Sequence, residues 1–263
     1  MTAMGTLKVC LDPGHYGNFN CNNNVSPVYW ESRTVWKLHL MLLEELEKYE
    51  SVTVVTTRQD EEKDLELETR GKASEGCDLF LSLHTNSCED ETVDRATVIY
   101  QVKADDRMKA LAAKFGAAIK KTMGLSAYKA DLRWNSAHNA DWYGVLRGAA
   151  YVGTPGLILE HGFHSHNATA KWLQKDANLR KLAQADAAVL AEHYELKKKL
   201  PFTDVKPGTE LGDAVSWALA AGITKGTTAT TFSPKDPCTR GQMAIFLFRF
   251  AKWIAKQLGK SLL

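Results

Sequence analysis

Two histidines and two carboxylates stand where apolar runs of this chain give way to loops or helices. His15 follows Leu7-Lys-Val-Cys-Leu11, in Asp12-Pro-Gly-His15. His84 follows Leu79-Phe-Leu-Ser-Leu83, in Ser82-Leu-His-Thr-Asn86. Glu160 closes Gly156-Leu-Ile-Leu-Glu160, and Glu31 opens a helical stretch. A lone histidine at a strand end is most often structural, but four such groups, each at the end of an element, point to a site. The chemistry they suit is metal-assisted hydrolysis. A catalytic zinc takes three protein ligands and leaves a fourth position for water, whose pKa falls to about 7. A His, Glu, His set fills that role. A second carboxylate, off the metal, takes the water's proton and passes it to the leaving group.

Such groups must be brought together by the elements around them. Between Glu31 and Tyr49 the residues Val35, Leu38, Leu42 and Leu46 recur at helical spacing. Glu31 itself lacks the apolar neighbours that would explain it by packing. Val52–Thr56 and Ala96–Val102 read as further strands. Arg107–Met123 reads as a helix with Met108, Leu111, Phe115 and Ile119 on one face. Asn167–Leu196 reads as a last long helix, with Leu173, Leu179, Leu182 and Leu190 inward. Strands alternating with helices predict an α/β domain: a mostly parallel twisted sheet flanked by helices. In open sheets of this kind ligands bind beyond the carboxyl ends of the strands, which is where His15, His84 and Glu160 fall.

Composition narrows the partners. Of 263 residues, 44% are hydrophobic and 24% charged, which excludes a disordered chain. Lys and Arg number 33 against 31 Asp and Glu, and a net charge of +2 argues against nucleic acid as the ligand. No apolar run approaches the roughly 20 residues of a membrane span. The five cysteines are widely spaced, without a Cys-x-x-Cys pair, and are expected to be free thiols. Met1 to Lys8 lacks a basic start followed by an apolar stretch, so the expectation is synthesis in the cytoplasm without a signal peptide.

The ordered motifs resemble those of the zinc-dependent N-acetylmuramoyl-L-alanine amidases. The resemblance runs through Leu11-Asp-Pro-Gly-His15, Glu31, Thr57-Arg-Gln-Asp60 (one residue shorter than the family's stretch), Leu67-Glu-Thr-Arg70, Ser82–Asn86 and Glu160–Ser165. It covers Leu7 to Leu196. It implies that His15, Glu31 and His84 hold one zinc ion per chain and that Glu160 is the catalytic carboxylate. Two stretches depart from the family's pattern. The loop Tyr16–Asn24 is rich in Asn rather than Gly. Gly162-Phe163 is followed by His164-Ser-His166, where the family usually has a hydrophobic residue and then Ser-Asn. His161, His164 and His166 are read as surface or outer-layer groups rather than a second metal site, and His39, His138 and His193 as structural or solvated. Asp12 either orients His15 from behind or shapes the Pro-Gly turn. Asn86 either orients the ligand loop or carries no role.

Beyond Glu195, Lys197-Lys-Lys199 leads to Pro201, and the composition changes. Residues 201–263 hold 8 Lys/Arg against 4 Asp/Glu, a net +4, leaving 25 against 27 in the rest. Two helices are expected, Thr209–Ala221 and Thr239–Lys256. Phe202-Thr-Asp-Val205, Ala214-Val-Ser-Trp217, Gly222–Gly226, Thr231-Phe-Ser-Pro234 and Cys238–Gln242 resemble one S-layer homology motif. That resemblance implies binding to an acidic secondary cell-wall polymer. Arg240 is then the candidate for carboxylate recognition. Trp217 is either a sugar-stacking residue or, on packing grounds, a core tryptophan. Thr239 and Gln242 fit a helix capping box. The second helix is apolar nearly all round and needs further cover, from the catalytic domain or from the same module in other chains.

The expected organisation is a catalytic domain at 1–196, a linker at 197–201 and a wall-binding module at 202–263. The expected function is cleavage of the amide between N-acetylmuramic acid and L-alanine, at a Gram-positive wall, by a phage or prophage endolysin. A zinc peptidase acting on stem peptides and a non-catalytic wall-binding protein are the alternatives.

Overall fold

The computed structural model describes residues 6–260; most of the stretch read for a leader, residues 1–5, and the module's last residues, 261–263, lie outside it. The chain separates into two units, residues 1–197 and 198–263.

The first unit is built on a six-stranded sheet in the order β4-β1-β5-β8-β6-β7. Its strands are β1 (Leu7–Pro13), β4 (Val52–Thr56), β5 (Leu79–Asn86), β6 (Ala96–Tyr100), β7 (Tyr128–Asp131) and β8 (Gly156–Phe163). β4, β1, β5 and β8 run parallel. β6 meets β8 antiparallel, and β7 runs parallel to β6, so the sheet is mostly parallel with a reversed edge. A short hairpin, β2 (Cys21–Asn22) with β3 (Tyr29–Trp30), sits between β1 and the first helix.

Alternation along the strands explains the layers. Val9, Leu11, Leu79, Leu81, Val98, Leu157 and Leu159 point to one face. That face is covered by α1 (Glu31–Leu46), α3 (Asp106–Met123) and α6 (Asp176–His193). Cys10, Phe80, Ile99 and Ile158 point the other way, toward α4 (Gly144–Tyr151). α4 packs in turn on α2 (Leu67–Lys72). Strands buried on both faces read as continuous apolar runs, which is how β5 and β8 appear in the sequence.

Several expectations need correction. The helix expected over Asn167–Leu196 is two, α5 (Asn167–Leu173) and α6, separated at Gln174 and Lys175. Asn178 donates to the Trp172 carbonyl at 2.9 Å and so satisfies an end group of α5 that a continuous helix would have paired. α1 stops at Leu46 rather than Tyr49, and β6 at Tyr100 rather than Val102. β7, α2, α4 and the hairpin are additions. All five cysteines are free.

The second unit holds α7 (Glu210–Ala220) and α8 (Arg240–Gln257). Thr209 caps α7 through the Gly212 amide, and Thr239 with Gln242 forms the expected capping box on α8. Its core is small: Phe202, Val205 and Val215, with Leu200, Leu219 and Phe232 against them. Among the described residues no helix is long and apolar enough to cross a membrane.

Candidate metal centre

The carboxyl ends of three adjacent strands, β1, β5 and β8, build the site. His15 comes two residues after β1, in the left-handed region at φ 58°. A non-glycine residue there is uncommon and is held by its surroundings. The holding is visible. Arg70 donates to the carbonyls of Pro13 (2.9 Å) and His15 (3.1 Å), and Arg58 donates to Pro13 (2.9 Å). Asp12, fully buried, accepts from Thr57 and Ser82 at 2.6 Å each and pairs with Arg70 at 3.4 Å. Asp12 therefore does not touch the His15 ring. It anchors the arginine that holds the His15 backbone. Gly14 is required by close approach, since a Cβ there would lie 2.3 Å from the His84 imidazole.

Glu31 opens α1, almost fully buried, and gathers the site around its carboxylate. His84 Nδ1 lies 3.1 Å from Oε1, and His15 Nε2 lies 3.4 Å from Oε2. The Thr85 amide donates to Oε1 at 2.9 Å and Asn20 Nδ2 to Oε2 at 2.8 Å. Burial opposes the charge on Glu31, but the hydrogen bonds and charges of His15 and His84 outweigh it and hold the carboxyl well below the usual range. Ligand atoms of His15, Glu31 and His84 all lie within 4.8 Å of one another, and among the described residues they form the one such group of three or more. Two imidazole nitrogens and one carboxylate oxygen are a donor set that suits zinc.

Glu160 stands directly opposite His84 in the β5–β8 register. It is 8% exposed, and its Oε2 is buried with no hydrogen-bond partner among the described residues. Burial first, and then the negative charge of Glu31, push its carboxyl well above the ordinary range. A buried carboxyl perturbed in this way, in a cavity, is a candidate for proton transfer. His15, Glu31, His84, Glu160, His164 and Trp142 are among the residues lining one cavity of about 360 Å³. The structure thus brings together all four residues singled out in the catalytic domain.

Other groups surround these four. Asn20 bridges Glu31 and His15, its amide 3.1 Å from His15 Nε2. The Asn-rich loop that departs from the family's pattern carries it. Asn22 of the same loop donates to the His164 carbonyl at 2.7 Å. Asn86 lines the cavity, and its carbonyl accepts from the His164 amide at 2.7 Å. His161 and His164 are buried rather than superficial, whereas His166 caps α5 by accepting from the Thr169 amide. His39 is buried in α1, its ring nitrogens without hydrogen-bond partners among the described residues, and burial lowers its pKa to about 4, which keeps it neutral.

In the second unit Trp217 is 44% exposed and meets Phe250 and Trp253 edge-on, with ring centroids 6.0 and 5.4 Å away. It belongs to an aromatic surface, not to the core. Arg240, the first residue of α8, is exposed.

A three-layer α/β sandwich carries, at its strand ends, a His, Glu, His cluster whose donor set suits a metal ion, beside a buried carboxyl. Comparison with known proteins makes it particular. The N-acetylmuramoyl-L-alanine amidase family matches residues 9–192, and the S-layer homology domain matches residues 201–244. The chain belongs to that amidase family, carries an S-layer homology domain behind it, and is a peptidoglycan amidase. It is 27% identical over 204 residues to the N-acetylmuramoyl-L-alanine amidase CwlM of Bacillus licheniformis, covering 73% of this chain and 70% of that protein. The fold is similar to the catalytic domain of the amidase CwlV from Bacillus (Paenibacillus) polymyxa var. colistinus, with a TM-score of 0.59 and 21% identity over 72% of this chain and 98% of that one. Cwp6 from Clostridium difficile matches with a TM-score of 0.62 and 21% identity, over 73% of this chain and 30% of its own.

Proposed function

We propose that this amidase is zinc-dependent, with His15, Glu31 and His84 as ligands and Glu160 as general base and acid, and that it cuts the amide between N-acetylmuramic acid and L-alanine. The observation that carries this reading is the placement of Glu160, a buried carboxyl whose Oε2 has no partner among the described residues, directly across the β5–β8 register from His84 of a converging His, Glu, His set. Zinc, when bound, supplies Lewis acidity to the scissile carbonyl and to a water molecule. Glu160 takes the proton of the attacking water on a carboxylate oxygen and returns it to the amide nitrogen as L-alanine departs. The products are the lactyl carboxylate of the muramic acid and a peptide with a free L-alanine N-terminus. Mass spectrometry of purified peptidoglycan after digestion tests this. Cleavage within the stem peptide, with the muramoyl amide intact, would replace it with the zinc-peptidase reading.

Residues 202–263 hold the enzyme on an acidic secondary polymer of the wall, through Arg240 and the exposed face of Trp217. The net charge of +4 over residues 201–263 supports this. Their exposed apolar residues support self-association of the module. Met243, Ile245, Leu247 and Phe248 of α8 are all exposed, and Ala255 is the helix's buried residue.

A further inference from the structure

We propose that His161 and His164 are positioning residues of the metal centre: each donates its Nδ1 proton to a main-chain carbonyl of β5, and together they fix His84 and Glu31 for the metal. This rests on the assignment of His15, Glu31 and His84 as ligands.

The argument begins with a bulge in β8. His84 pairs with Glu160 and Asn86 with Phe163, so His161 and Gly162 together face the single residue Thr85. Gly162 takes φ +79°, which allows the bulge. A bulge interrupts the ladder, and buried peptide groups released from it need other partners. Two side chains supply them. His161 Nδ1 lies 3.1 Å from the His84 carbonyl oxygen. His164 Nδ1 lies 3.2 Å from the Thr85 carbonyl oxygen and 3.0 Å from its hydroxyl. A carbonyl only accepts, so both rings carry a proton on Nδ1.

Each histidine is itself fixed. His161 Nε2 faces Asp186 of α6 at 2.9 Å, and both side chains are fully buried. The His164 ring stacks on Tyr29 with centroids 5.5 Å apart, and Tyr29 shares the Thr85 hydroxyl at 3.0 Å. Thr85 is thereby a relay. Its amide holds Glu31 Oε1, while its carbonyl and hydroxyl are held by His164. His84, one residue earlier, has its carbonyl held by His161. Neither histidine joins the converging ligand set, so a second metal does not explain them.

Hydrogen bonds behind the ligands are worth about 10- to 100-fold in metal affinity. The full-length protein is compared with His164→Leu, which removes the donor, and His164→Asn, which keeps a donor near Nδ1. His161→Leu alone leaves Asp186 buried and unpaired, so His161→Leu/Asp186→Leu tests that side. Zinc affinity is read by chelator competition, ligand geometry by the visible spectrum of the cobalt-substituted protein, and folding by thermal unfolding without metal. Expected are zinc affinity about 10- to 100-fold weaker in the leucine variants, an altered cobalt spectrum, and recovery of most of the affinity in His164→Asn. Wild-type affinity and spectrum in folded leucine variants would overturn the proposal, and so would His164→Asn binding as weakly as His164→Leu. His84→Ala separates the two readings. If it loses zinc while the leucine variants bind normally, the positioning role fails and the ligand assignment stands. If it keeps zinc, the ligand assignment itself fails.

Discussion

Helices α1 and α8 are of similar length and carry similar numbers of large apolar side chains, yet they end in opposite states. In α1 the stripe Val35, Leu38, Leu42 and Leu46 is fully buried against the sheet and α6. In α8, Leu247 is 60% and Met243 50% exposed. The difference lies in what surrounds them. The first unit closes three layers around its sheet, whereas a unit of about 60 residues buries too little surface to cover an all-round apolar helix. Chemistry has settled accordingly. The buried unit holds the His15, Glu31 and His84 cluster and the buried carboxyl of Glu160, where geometry must be fixed. The open unit offers exposed aromatic, aliphatic and basic groups, which suit contact with something outside it.

The largest expected effect comes from a change confined to the closed unit. Glu160→Gln keeps the shape and removes the proposed base, so cleavage of peptidoglycan should fall by about 10²- to 10⁴-fold. Zinc content and wall binding should stay as in wild type. Near-normal turnover would move the proton transfer to another group. Deleting residues 198–263 is the complementary change. Activity on soluble muropeptides should persist while binding to intact walls drops severalfold, measured by pelleting with cell walls. Equal binding with and without the segment would end its role as an anchor.

Stability separates the units next. Leu42→Ala opens a cavity in a closed core and should cost about 2–5 kcal/mol in denaturant unfolding. Leu247→Ala in an exposed position should stay within about 0.5 kcal/mol for an isolated chain. If the module self-associates, Leu247→Ala should also shift the oligomer toward monomer in light scattering over a range of concentrations. A concentration-independent monomer for the wild type would remove self-association. The smallest effect is expected from Arg240→Ala, a modest loss of wall binding. Added salt should reduce the difference from wild type, as screening reaches within a Debye length of about 8 Å at physiological ionic strength.

What could be read from the sequence follows the same division between strong local pattern and distant contact. Long periodic helices and apolar strands were legible: α1, α3, α8, β4 and β8 stand close to where periodicity puts them. α2 and α4, six and eight residues long, are too short to show a period. The break between α5 and α6 has neither Gly nor Pro, and its freed Trp172 carbonyl is met by the Asn178 side chain and the Lys175 amide. The four site residues were legible because each stands where an apolar run gives out, although β5 and β8 continue past His84 and Glu160 to Asn86 and Phe163. Thr85, His161 and His164 were not, since their roles exist only where the β8 bulge meets β5. Asn20 likewise depends on a loop folding back over Glu31. The reversed edge could not be read in β6, whose residues Ala96–Ile99 are buried as they would be in a parallel strand, and β7 is a four-residue, half-exposed edge strand too short to show a pattern.

The central claim is that three residues hold a zinc ion and a fourth, beside them, does not. Elemental analysis of purified wild type, His84→Ala and Glu160→Gln tests it directly. With a tetrahedral site of three protein ligands and water, wild type and Glu160→Gln should each carry about one zinc per folded chain, and His84→Ala should lose most of it. Full zinc in folded His84→Ala, or loss of zinc in Glu160→Gln, would contradict the account.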